Sequence, residues 1–193
     1  PLFVSTPDLL LDLPEAVWCP VVVNPAQWAH PRSPRAPGSP LRVAHAPSVT
    51  STKGTELIMP TLRALEAEGV IELALAERIP AAQMPEFFAR ADVVLDQFRI
   101  GSYGVAACEA IAAGCVVVGH VADAVRETVS IETGRDLPIV QADPDSLEQV
   151  LRSLGDPSYD LTAEASRGRT FVETVHDGRV SAERLRRHWI DAP

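Results

Sequence analysis

From residue 41 onward, short apolar runs alternate with stretches whose apolar residues recur at helical spacing. Residues 41–44, 71–76, 93–96 and 115–119 read as strands, and 137–140 as a fifth. The run CVVVG at 115–119 is continuously apolar and β-branched, the pattern of a strand buried on both faces. Between the runs, residues 55–68 place Leu57, Ile58, Leu62 and Leu65 on one helical face, with Gly69 as a C-terminal stop. Pro60 lies inside that pattern and should bend the helix or sit near its first turn. Residues 84–91 predict a short helix, and 103–113 a helix of small residues stopped by Gly114. Three further helices are predicted at 145–154, 161–175 and 180–189, the first with Asp145 as N-cap and Glu148 three residues on. Strands alternating with helices imply right-handed crossovers and a parallel sheet covered on both faces, an α/β fold of Rossmann-like type.

The first 40 residues read differently. Apolar pieces at 9–11 and 21–23 are followed by HPRSPRAPGSP at 30–40, whose prolines block helix and central strand alike. This segment reads as an irregular connector. The expected organisation is therefore 1–40 as tail and linker, 41–175 as one Rossmann-like domain, and 176–193 as a C-terminal helix. The chain opens at Pro1 without an initiator Met, which reads as a boundary within a longer protein.

A formal net charge of −9 and a pI near 5.0 argue against broad nucleic-acid binding, which needs a basic footprint. They leave room for a small phosphate ligand, which needs only local donors. No apolar run is long enough to span a bilayer. Cys19, Cys108 and Cys115 have no metal-ligand spacing; Cys108 and Cys115 read as buried core thiols, and the odd count fits a reducing cytosol. No zinc, HExxH or Ser/His/Asp signature occurs, and no metal or cofactor is expected.

In open parallel sheets, ligands bind beyond the carboxyl ends of the strands. Three loops fall there. HAPSVTSTKG at 45–54 follows the first strand, and its Lys53 and Gly54 sit where a helix N-terminus would meet an anion. By itself a Lys-Gly pair is more often solvated surface. QFRIGSYGVAACE at 97–109 carries Gly101 and Gly104 before a helix, either for a tight turn or for close approach of a ligand. Glu109 follows among Ala and Cys residues, where an acid is costly to bury unpaired, and reads as functional. ERIP at 77–80 places Arg78 after the second strand, as a phosphate or base contact or equally as surface. His45 and His120 end strands; a hydrogen-bonded structural role is commoner for such residues than that of a catalytic base. Asp92 reads as structural, and Asp96 fits either role.

GSYGVAACEAIAAGCVVVG at 101–119 resembles the signature of retaining GT-B glycosyltransferases of the family-4 type. Tyr103-Gly104 matches its F-G pair, Glu109-Ala110-Ile111-Ala112 its E-A-M-A, and Gly114 its later glycine. HAPSVTSTKGTELI and ERIPAAQMPEFFARADVVLDQ resemble the family's K-G and A-D segments. The likeness covers residues 41–121 well and the tail loosely. It implies the C-terminal, nucleotide-sugar-binding half of a GT-B architecture, with 1–40 as the end of an N-terminal acceptor domain and the crossing between them. It further implies Lys53 and Gly54 at the donor diphosphate and the Ser102-Tyr103-Gly104 stretch, by its amides, at phosphate. Glu109 would lie on the ribose hydroxyls and the backbone near Arg78 and Ile79 on the base. The partners implied are a nucleoside-diphosphate sugar, with no metal, and an acceptor held mainly by the other half. The implied location is cytoplasmic, with peripheral membrane association through that half.

Two positions depart from the family pattern. Gly101 stands where the family usually has a second Glu, and Ser48, Val49 and Thr50 stand where it usually has an Arg. A catalytically degenerate nucleotide-binding module and a GT-B sugar-nucleotide epimerase are therefore the alternatives to a transferase. Dinucleotide redox chemistry lacks its GxGxxG after the first strand.

Overall fold

The computed structural model describes residues 1–47, 49–76 and 79–191. It opens with β1 (Phe3–Val4), α1 (Leu9–Asp12), β2 (Val17–Trp18) and α2 (Pro25–Trp28). The main sheet contains β3 (Leu41–His45), β4 (Ile71–Leu75), β5 (Val93–Leu95), β6 (Val116–Gly119) and β7 (Ile139–Gln141). The connections carry α3 (Thr50–Lys53), α4 (Thr55–Ala67), α5 (Met84–Ala89), α6 (Val105–Ala112) and α7 (Asp123–Thr133). After β7 come α8 (Leu147–Gly155), α9 (Leu161–Val175) and α10 (Arg179–Leu185), which passes into a π-turn at Arg186–Ile190.

The five strands lie in the order β4-β3-β5-β6-β7 and every pairing is parallel. The chain leaves β3 toward one edge and β5 toward the other, so the connections diverge between these two strands. That divergence is a topological switch point, where a crevice opens beyond the strand ends.

Alternate strand residues feed two cores. Val43, Val93, Leu95, Val116 and Val118 pack with Ile58, Leu62 and Leu65 of α4 and Leu147, Leu151 and Leu154 of α8. Ala44, Val94, Val117 and Ile139 pack on the opposite face with α6, α7 and α9. This two-sided burial is why the strands are apolar at successive positions rather than at every second one. The first 28 residues join the second of these cores through Val4, Trp18, Val23 and Trp28. Trp28 packs on Phe88 with ring centroids 5.8 Å apart.

Three local expectations change, and one helix was not expected. The small-residue helix starts at Val105, because Gly104 is extended (φ −143°, ψ −160°) and the Tyr103 ring turns into the core. Pro60 lies beyond the first turn of α4, on its exposed side, and the helix continues through it, with one helical hydrogen bond lost because proline has no N–H. Asp145 is not the cap of α8: the helix begins at Leu147, and Asp143 and Ser146 bond one another across the turn before it. Helix α7 went unread in the sequence, since it buries only Val125 and Val129, too sparse an apolar stripe to signal a helix.

Candidate functional site

The crevice at the switch point has a volume of ≈ 720 Å³. Its floor is the carboxyl end of β3, with His45, Ala46 and Pro47. Thr50 and Thr55 form one wall, Ile79 and Met84 another, and Ala106 and Glu109 of α6 a third. Two residues of the sequence expectation, Ile79 and Glu109, thus share one space. Arg78 lies outside the described residues.

Glu109 is half-buried, and among the described residues its carboxylate has no hydrogen-bond or ion-pair partner. Loss of water pushes its pKa up from the ordinary carboxylate value. A short polar ligand with hydroxyl donors would reverse that penalty.

His45 is completely buried under this floor. Its Nδ1 lies 3.0 Å from the Leu95 carbonyl and its Nε2 2.8 Å from Thr55 Oγ1. A carbonyl can only accept, so Nδ1 carries the proton and Nε2 accepts from the threonine hydroxyl. Burial holds the imidazole below its ordinary pKa, hence neutral. The ring ties β3, β5 and the first residue of α4 together, and both nitrogens are occupied. The structural role weighed from the sequence is the one this geometry fits.

Lys53 ends the single turn α3. Gly54 follows in the left-handed region at φ +68°, closing α3 and opening α4. A Cβ there would lie 3.3 Å from Leu57 Cδ1 and 3.4 Å from the Phe98 carbonyl carbon, so only glycine lets this corner pack on the next loop. The Lys53 ammonium does not face the crevice. It forms an ion pair with Asp96 Oδ1, and both side chains are largely buried, at 16% and 3% exposure. Asp96 Oδ2 is also buried and, among the described residues, has no partner.

The glycine loop before α6 is shaped by Gln97, which the sequence reading did not single out. Its Oε1 accepts from the amides of Arg99 (3.1 Å) and Ile100 (2.7 Å). Its Nε2 donates to the carbonyls of Ser102 and His120. One buried carboxamide thereby replaces four backbone partners and folds residues 97–102 into a compact turn. Gly101 stands in that turn at φ +78°, with a would-be Cβ 3.3 Å from Ala122 Cβ. The absence of a side chain there is built into the backbone. Gly104 differs: its φ suits any residue, and a Cβ would meet nothing within 4 Å. Ser102 donates to Asp8 Oδ1 at 2.7 Å, joining the N-terminal segment to this loop across 94 residues of sequence. The Tyr103 hydroxyl lies 3.3 Å from His176 Nε2 in the core. Among the described residues, the amides of Ser102, Tyr103 and Gly104 have no acceptor, and they lead directly into α6. The signal for Gln97 was present in the sequence, a polar pair directly after VVL; none existed for Asp8.

A second cleft, of ≈ 630 Å³, lies at the amino ends of the strands. It is lined by Arg32, Arg35, Arg42 and Asp92. Arg32 donates to the carbonyls of Phe88, Ala91 and Ala113, which lie at the ends of α5 and α6. Asp92 receives the Arg42 amide at 3.1 Å and its guanidinium at 3.0 and 2.5 Å. The arginines there are engaged with the protein itself, so this cleft is structural. Among the described residues no group of His, Cys, Asp and Glu has the arrangement of a metal site, and no helix is long and apolar enough to cross a membrane.

No protein-family model and no curated protein matches the chain. Solved structures match throughout. WaaG, a glycosyltransferase of lipopolysaccharide biosynthesis, superposes with a TM-score of 0.63 at 16% identity, over 96% of this chain and 61% of its own. Sucrose-phosphate synthase from Thermosynechococcus elongatus gives 0.67 at 13% identity, over 97% and 57%. Anabaena HepE in complex with UDP-glucose gives 0.62 at 10% identity, over 89% and 57%. The chain thus spans 57–61% of the length of these three structures. Its parallel five-stranded sheet and flanking helices are those of a Rossmann-like domain of the GT-B glycosyltransferase fold.

Proposed function

We propose that the chain is the donor-binding half of a glycosyltransferase that uses a nucleoside-diphosphate sugar. The observation that carries this reading is the half-buried Glu109 carboxylate, unpaired among the described residues, in a crevice at the switch point of a GT-B-type domain. The vicinal hydroxyls of a ribose supply the donors that such a carboxylate lacks. Ile79 and Met84 offer apolar surface to a base, with Arg78 in the same loop as a further contact. The amides of Ser102, Tyr103 and Gly104 and the ammonium of Lys53 meet the diphosphate, where donors at a helix start neutralise charge without a metal. HepE binds UDP and UDP-glucose, which makes UDP the first nucleotide to test.

In the transfer, the bond from the anomeric carbon to the diphosphate oxygen breaks and a bond to an acceptor hydroxyl oxygen forms, with retention. The nucleoside diphosphate leaves, and the hydroxyl proton leaves with it. The acceptor belongs to the other half of the enzyme, with any membrane contact, so this chain alone binds donor and transfers nothing. Gly101 favours a second reading, a nucleotide-binding module without catalysis, because its left-handed backbone and the nearby Ala122 leave no place for a carboxylate.

Calorimetric titration with UDP, GDP, ADP and dTDP, with and without magnesium, tests the proposal. Micromolar-to-millimolar binding of one nucleotide without metal is the expected result. No binding by any of the four would overturn it. Transfer by the intact protein, against binding without turnover, separates the transferase from the module.

A further inference from the structure

Lys53 is the only lysine in the chain; the other 16 of the 17 basic residues are arginines. Lysine differs from arginine in carrying a compact point charge on a flexible four-carbon stem. Here that charge is turned away from the crevice, although Thr50 and Thr55 on either side of it in sequence line the wall. It rests on Asp96, the residue directly after β5 at the switch point.

The pair is not built like the structural pair at the other end of the sheet. Asp92 is held by an amide and two guanidinium nitrogens of Arg42. Asp96 receives one ammonium, and its second oxygen is buried and, among the described residues, bare. A buried pair satisfied at only one oxygen gains little over the water it gave up. The backbone beneath Lys53 is fixed, since its carbonyl accepts from the Phe98 amide at 2.9 Å and its amide donates to the Val49 carbonyl at 3.1 Å. Only the side chain has to move for the ammonium to change partners.

We propose that Asp96 holds Lys53 in reserve: the carboxylate neutralises the ammonium in the unliganded protein, and a diphosphate takes the ammonium over from it. This rests on the crevice being a nucleoside-diphosphate site, and it assigns Asp96 as the residue that sets the affinity of that site. With the pair closed, Lys53 and Asp96 cancel and Glu109 adds a negative charge, so an incoming diphosphate meets no net positive charge from these three residues. A ligand lacking phosphates has nothing to offer the ammonium and leaves the pair closed.

The test compares the 193-residue chain with its Asp96→Asn variant, using UDP and uridine as probes. Asparagine keeps the shape and removes the charge. The expected result is UDP affinity about tenfold higher in Asp96→Asn, the size of one charge-assisted contact, with uridine affinity unchanged. A second readout uses the single ε-amine. Acetic anhydride labelling followed by mass spectrometry should modify Lys53 faster in the variant, and UDP should protect it in both proteins. Labelling also reports on the native chain if the variant misfolds: UDP must change the Lys53 rate, and uridine must not. Binding of UDP to the native chain with equal or lower affinity in a folded Asp96→Asn protein would overturn the proposal and leave the donor site standing. UDP binding that requires magnesium and is lost with Asp96 would overturn it in favour of a metal-ligand role. No binding of UDP, GDP, ADP or dTDP by either protein would overturn the site reading and this inference together; if another of the four binds in place of UDP, it and its nucleoside serve as the probes.

Discussion

The two ends of the sheet solve the same problem in opposite ways. At the amino end, charges between the strands are closed off: Asp92 is saturated by Arg42, and Arg32 stitches the connector to carbonyls near the ends of two helices. At the carboxyl end, donors and acceptors stand incomplete: among the described residues Glu109 is unpaired, Asp96 has a bare oxygen, and the loop amides before α6 have no acceptor. Buried polar groups are normally satisfied, and the incompleteness gathered at this edge is what the proposed ligand site rests on. The fully satisfied edge sets the path of the connector at residues 30–40.

The largest effect that tests this contrast is Asp92→Ala. It leaves the Arg42 guanidinium only the Ser33 carbonyl as partner among the described residues and should lower stability by about 3 kcal/mol in urea denaturation, with nucleotide affinity in the folded protein unchanged. A weakened nucleotide would show that the two edges are coupled.

Acid should act through the core between the edges. His176 is buried against Trp18, Tyr103 and Phe171, donates from Nδ1 to the Val21 carbonyl at 2.8 Å, and is lowered by burial to a pKa of about 4. The unfolded chain takes a proton near 6.5, so between these values it binds more protons than the folded chain. Stability is therefore present above about pH 6.5 and lost as the pH falls toward 4, by roughly 3 kcal/mol for this residue. Denaturation midpoints from pH 7 to 4 should flatten in His176→Gln.

The glycines of the loop divide along the same line. Gly101→Ala forces a side chain into the left-handed region against Ala122 and should cost about 1 kcal/mol or more. Gly104→Ala meets only open space and should leave the melting temperature nearly unchanged while weakening UDP, if a phosphate occupies that space. Equal effects on stability would remove the distinction between a shaping and a receiving glycine.

At Glu109 no loss of stability is expected. Because burial raises its pKa, the charged form destabilises the fold as the pH rises through that value. Glu109→Gln should hold or raise stability at pH 7. It should also weaken UDP by roughly tenfold through loss of a charge-assisted contact to ribose. A variant that is less stable and binds UDP as before would make Glu109 a structural acid.

The strands were legible because burial on both faces leaves continuous apolar runs, as in VVVG at 116–119, which few other environments tolerate. Helices α4, α8 and α9 were legible from apolar spacing, whereas α7 offers the sheet only two residues and was missed. In the crevice, the glycine-rich loop and Glu109 stood out because an acid among alanines and glycines before a helix are locally unusual. The Ser102–Asp8 bond gave no signal, since it spans 94 residues.

The sequence alone thus determined the parallel α/β order and the loops that gather at one edge, because burial periodicity and backbone freedom are local properties written in adjacent residues. Tertiary structure decided which charges at those edges are spent and which are free. That Lys53 faces Asp96 rather than the crevice, that His45 is saturated at both nitrogens, and that Gln97 replaces four backbone partners all depend on groups distant in sequence. Hydrogen-bond satisfaction is a property of the packed neighbourhood, and only the folded chain supplies it.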